Sequence, residues 1–140
     1  MKKTLVSVFV FVLMLALGLM TAEAGIPNMI GTWNGTGRGV DPAGVYYDAT
    51  MTMVITGQDG RLYYGTITVV ISGGDTKVLP LTGVIEVNKD VYISLGIDPD
   101  SSLPSATFMA GKLTARTIKG HWQNLGNGET GSCVLVKALI

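Results

Sequence analysis

Five times along this chain a glycine is followed, two residues later, by a large apolar side chain: Gly31-Thr32-Trp33, Gly65-Thr66-Ile67, Gly83-Val84-Ile85, Gly111-Lys112-Leu113 and Gly120-His121-Trp122. On a helix residues two apart do not face each other. On a strand they share one face of the pleat. Each glycine therefore leaves a gap beside a bulky neighbour on the same face, and a sheet built from such strands can coil tightly enough to close on itself. The repeat predicts a barrel.

Runs of alternating or β-branched residues, separated by turn signals, occur eight times after residue 25. They cover about 30–40, 45–56, 61–71, 78–87, 91–97, 106–114, 117–123 and 132–139. Asp41-Pro42-Ala43-Gly44, Gly57-Gln58-Asp59-Gly60, Ser72-Gly73-Gly74-Asp75, Asn88-Lys89-Asp90 and Gly126-Asn127-Gly128 supply turns. The longest connection is Asp98-Pro99-Asp100-Ser101-Ser102-Leu103-Pro104. No stretch after residue 24 carries a 3.6-residue apolar period. Short connections make consecutive strands antiparallel neighbours. The expected fold is all-β, an eight-stranded antiparallel up-and-down meander barrel, in which closure removes the exposed edges; a sandwich is the alternative.

The glycine repeat also sets the phase. Trp33, Tyr63, Ile67, Val69, Ile71, Leu79, Leu81, Ile85, Val87, Met109, Leu113, Ile118 and Trp122 fall on one face. The same alternation adds Met51, Met53, Ile55, Val91, Ile93, Leu95 and Ile97 to that side. Thr32, Arg38, Thr66, Lys112, Lys119, His121 and Gln123 fall on the other. The interior is expected to be almost wholly apolar. Tyr47 and Tyr63 are expected inward with a hydroxyl near one rim, and Met51, Met53 and Met109 give flexible apolar walls.

Met1-Lys2-Lys3, an apolar run from Leu5 to Met20 and Ala22-Glu23-Ala24 read as a secretory signal peptide over residues 1–24. The run is shorter than the roughly 20 residues a spanning helix needs, and nothing later offers a transmembrane anchor. The expected mature chain is a single β-barrel domain over 25–140, exported to a periplasmic or extracellular space. Of ten basic and ten acidic side chains, Lys2, Lys3 and Glu23 leave with the leader, so eight and nine remain, a balance of −1. Such a surface has no basic face for phosphates, which argues against nucleic acid as a partner. With Cys133 as the lone cysteine no internal disulfide can form; it reads as a small buried apolar residue, with an intermolecular disulfide or a redox role as the alternatives.

Chemistry is poorly supplied. One histidine and one cysteine provide neither a zinc cage nor a Cys/His pair, and His121 points outward by parity. Asp98-x-Asp100-Ser101-Ser102 places oxygens at alternate positions but lacks the rest of a calcium loop. No acidic residue falls on the inward face, as paired-carboxylate catalysis would need. The expectation is a non-enzyme without metal or cofactor.

Gly31-Thr32-Trp33 near the start of the first strand resembles the Gly-x-Trp of the calycin group, the lipocalins and avidins. In lipocalins that tryptophan packs across the closed end of the barrel beneath a basic residue of the last strand, a position for which Lys137 is the candidate. Leu81-Thr82-Gly83 and Trp122 add to the avidin likeness, but the last strand has no acidic residue to hold a ureido group, so biotin is not implied. The resemblance is greatest to exported lipocalin-like proteins. The inward Trp33, Trp122, Tyr63 and methionine cluster, with no inward charged pair, points to a non-catalytic carrier or sensor for a small, mostly apolar molecule, with interior contacts expected from Trp33, Tyr47, Met51, Met53, Tyr63, Met109 and Trp122. A carrier of that kind typically offers roughly 300 Å³ or more. A solid core instead favours a protein-interaction or inhibitor module acting through rim loops at 98–104 or 126–131.

Overall fold

A computed structural model describes residues 25–96 and 106–139. The eight strands are β1 (Gly31–Val40), β2 (Tyr46–Asp59), β3 (Leu62–Ile71), β4 (Thr76–Ile85), β5 (Asp90–Leu95), β6 (Thr107–Thr114), β7 (Thr117–Asn124) and β8 (Thr130–Lys137). Each pairs antiparallel with the next, and β8 pairs with β1, so the sheet is a closed meander barrel. The proposed leader, Ile97 and the loop 98–104 lie outside the described residues.

Closure rests on the glycines, in two ways. At Gly35 and Gly65 a Cβ would run into the backbone of the adjacent strand, at the carbonyls of Val134 and Val54 respectively. Gly111 and Gly120 face each other across β6 and β7, and a Cβ on Gly111 would lie 2.7 Å from the Lys119 carbonyl oxygen. These positions let the strands bend sharply. Elsewhere the vacated space is filled from across the ladder. Gly39 is paired with Tyr47, Gly83 with Tyr63 and Gly131 with Trp122, and in each case the aromatic ring lies where the glycine's Cβ would be. The strand glycines, Gly83 of the repeat among them, thus make room for rings on neighbouring strands as well as for curvature.

An inward row runs Tyr63, Gly83, Ile93, Met109, Trp122, Gly131, Gly39 and Tyr47, once around the barrel. It returns to β2 at Tyr47, eleven residues before Gln58, the residue paired directly with Tyr63; one of the eleven is the extra residue of a bulge between Ile55 and Gly57. The strands therefore tilt steeply across the barrel axis. Tyr47 and Tyr63 consequently lie at opposite ends, contrary to the expectation of hydroxyls near one rim.

The core holds Trp33, Met51, Met53, Ile55, Tyr63, Ile67, Leu81, Ile85, Val91, Ile93, Met109, Leu113, Ile118, Cys133 and Leu135, and among the described residues no polar or charged residue is buried. Val69, Leu79, Leu95 and Trp122 pack against it, half-buried. Val87 corrects the inward assignment: β4 ends at Ile85, and Val87 is 46% exposed in the turn that follows. The eighth strand likewise ends at Lys137, which leaves Leu139 exposed.

The segment before β1 closes one end. Met29 is fully buried, and its N–H donates to Gln58 Oε1 at 2.7 Å. Gln58 Nε2 in turn donates to the carbonyls of Pro27 at 3.0 Å and Gly60 at 2.9 Å. Gly31, at φ +127°, gives the backbone a conformation that L side chains rarely adopt, and so turns this plug into β1. Trp33 Nε1 donates to the Met29 carbonyl at 2.9 Å, while Lys137 Nζ sits 5.5 Å from the Trp33 ring centroid and donates to the Asn28 carbonyl at 2.7 Å. Burial, then the nearby charge of Arg116, holds the Lys137 ammonium below the usual lysine range.

Candidate functional site: the mouth of the barrel

At the opposite end the inward side chains of the described residues do not meet. They leave a cavity of about 180 Å³. Its apolar wall comes from Ala49 and Met51 of β2, Ile67, Val69 and Ile71 of β3, Leu79 of β4, Ile93 and Leu95 of β5, and Met109 of β6. Its rim carries Tyr47, Lys77, Thr107, Trp122, Asn124, Asn127 and Glu129.

Four of the seven residues expected to face a ligand, Tyr47, Met51, Met109 and Trp122, surround this cavity. The other three do not. Trp33, Met53 and Tyr63 are almost fully buried and form part of the solid core toward the closed end. Tyr63 Oη donates to the Tyr92 carbonyl at 3.3 Å, and burial pushes the hydroxyl well above the ordinary phenol range. The steep strand tilt separates the two groups, because residues on one inward row end at different heights.

The rim combines aromatic faces with hydrogen-bonding groups. The rings of Tyr47 and Trp122 have centroids 6.4 Å apart and planes inclined at 44°. Tyr47 Oη donates to Glu129 Oε2 at 3.1 Å. Burial first, and then the charge and hydrogen bond of Glu129, raise the Tyr47 hydroxyl well above its usual value. Trp122 Nε1 is buried and has no hydrogen-bond partner among the described residues. An orphaned buried donor is costly in a finished core.

Glu129 and Lys77 correct the expectation of a mouth without inward charge. Glu129 continues the inward alternation of Gly131, Cys133 and Leu135 beyond the start of β8, and Lys77 shares the phase of Leu79 and Leu81. Both parities were readable, but neither residue counts as inward unless alternation is carried past the apolar part of a strand. Met29, two residues before Gly31, follows the same rule.

Cys133 is buried, with Sγ 3.1 Å from Met109 Sδ, and burial pushes its thiol up to about 11. His121 is exposed on the outer wall, away from the cavity. Comparison of the chain with protein-family models and with curated proteins finds no match.

Proposed function

We propose that the protein is an exported, non-catalytic binding barrel whose mouth takes a small, mostly apolar molecule about the size of one aromatic ring. The supporting observation is the mouth cavity: apolar walls and a rim with a few hydrogen-bonding groups, beside a buried indole N–H that has no partner among the described residues. At about 180 Å³ it falls below the roughly 300 Å³ expected of a carrier for larger ligands, and that larger class is set aside. It is comparable with a 150 Å³ apolar cavity that holds benzene. The packing of Trp33 under Lys137, with the preceding segment plugging that end, supports a lipocalin-like reading of the architecture.

The test is a titration with toluene followed by tryptophan emission. The wild type is expected to saturate. Ala49→Phe, which fills the cavity from its wall, is expected to abolish binding while keeping the strand-dominated circular dichroism spectrum. Equal binding by both proteins, or no saturation by the wild type, overturns the proposal.

A second reading, a protein-interaction module, is favoured by the outer wall of β3 to β6. Leu62, Tyr64, Tyr92 and Phe108 are about half exposed or more there, and Tyr92 and Phe108 sit diagonally across adjacent strands. Contiguous exposed apolar surface of this kind is common at interaction sites. Substituting Tyr92 and Phe108 by serine separates the two readings, since it leaves the mouth untouched.

A further inference from the structure

We infer that the mouth selects a small organic cation: an amine or quaternary ammonium carried on a body no larger than one ring. This rests on the mouth being a ligand site at all.

Two features converge there. The first is the Tyr47 and Trp122 pair, two electron-rich rings that line the same opening with centroids 6.4 Å apart and planes tilted by 44°. A cation placed within about 6 Å of such a face is attracted by the ring quadrupole, most strongly by tryptophan. The second is Glu129, whose carboxylate is held at the rim by the Tyr47 hydroxyl at 3.1 Å. That hydrogen bond uses one acceptor site and leaves others for a ligand N–H. The charges that act on the Tyr47 hydroxyl are both carboxylates, Glu129 and, more weakly, Asp41. Lys77 contributes the opposite charge from β4, where it is paired with Val69 of β3 rather than with the strands bearing Tyr47 and Trp122.

A neutral apolar ligand would partly desolvate the Glu129 carboxylate and give nothing back. An ammonium returns a charge-assisted hydrogen bond to it and rests against the rings. The closed end already shows this chemistry met internally: the ammonium of Lys137 lies 5.5 Å from the Trp33 centroid and donates to a carbonyl. At the mouth, the ligand supplies the cation.

The chain has two tryptophans, so ¹⁵N-labelled protein gives two indole N–H signals, one from Trp33 and one from Trp122. Trp122→Phe assigns them. The probes are 2-phenylethylamine, charged at neutral pH, and its neutral counterpart 2-phenylethanol. Both are expected to shift the Trp122 signal and leave that of Trp33 in place, with the ammonium binding about tenfold more tightly. Glu129→Gln, a partly exposed site outside the strands, is expected to remove that advantage and to leave 2-phenylethanol within about twofold of its wild-type affinity. Equal affinities in the wild type, or an advantage that survives Glu129→Gln, overturn the cation inference and leave the ligand site standing. If neither probe moves Trp122 at millimolar concentration, the site itself is refuted.

Discussion

Truncating Trp33 to alanine probes the whole closed end, because three elements meet on that indole. The ring is 1% exposed, packs beneath Lys137, and donates to the Met29 carbonyl at 2.9 Å. A buried aromatic of this kind removes roughly 150–250 Å² from water, worth about 4–6 kcal/mol at about 25 cal/mol/Å². Partial collapse around the alanine brings the loss down to about 3–5 kcal/mol, and the acceptor left without its donor adds about 1 kcal/mol. The expected cost is thus about 4–6 kcal/mol against a domain stability of about 5–15 kcal/mol. Urea unfolding midpoints measure it. Trp33→Phe retains most of the ring but not the N–H and is expected to cost about 1–3 kcal/mol. Met29→Ala is expected to cost about 2–5 kcal/mol, and the double substitution with Trp33→Ala less than the sum, since the Met29 side chain anchors the segment whose carbonyl accepts from Trp33. His121→Ala, on the outer wall, is expected to change stability by less than about 0.5 kcal/mol. If Trp33→Ala costs under about 1.5 kcal/mol, or if His121→Ala costs as much, the plug is not the seal described and the phase of at least one strand is inverted.

Gly83→Ala drives a methyl group into the Tyr63 ring and is expected to destabilise by about 1–3 kcal/mol; Tyr63→Leu in the same chain is expected to recover part of that loss, and strict additivity of the two would refute the cross-strand filling. Cys133 is expected to resist aromatic disulfide reagents at pH 8 in the folded protein and to react on unfolding, because its thiol is buried and titrates at about 11. The sign of the linked pH effect is fixed: the folded thiol holds its proton more tightly than the unfolded one, so its contribution is intact below the unfolded value near 8.5 and is lost as pH rises toward 11. Cys133→Ala is accordingly expected to flatten the fall in stability between those pH values by on the order of 2 kcal/mol, and an unchanged slope would refute the assignment.

Strand number, strand order and most of the inward face were written in local pattern. A period of two needs only neighbouring residues, and the glycine spacing marks its phase, so Trp33, Ile67, Leu113 and Ile118 could be placed inside before any contact was known. The turn residues supplied the rest: Lys89, in the tight turn before β5, takes φ 70° where a compact reversal demands it. Short turns leave antiparallel neighbours little alternative, and closure follows when eight such strands bend the same way.

What the sequence left open were quantities that depend on how far the sheet shears before it closes. The stagger around the barrel separates Tyr47 from Tyr63, buries Met53 and Trp33 in a solid half, and leaves the mouth cavity where Met51, Met109 and Trp122 converge. Pairing register is a property of two strands at once, so no single strand contains it. The same holds for Met29 and Glu129. Both obey the alternation of the strands beside them, yet one became a plug and the other a rim carboxylate through partners far along the chain, Gln58 for Met29 and Tyr47 for Glu129, with Trp33 adding a local bond to the plug. Alternation fixes which way a side chain points, and only the closed barrel decides what it meets.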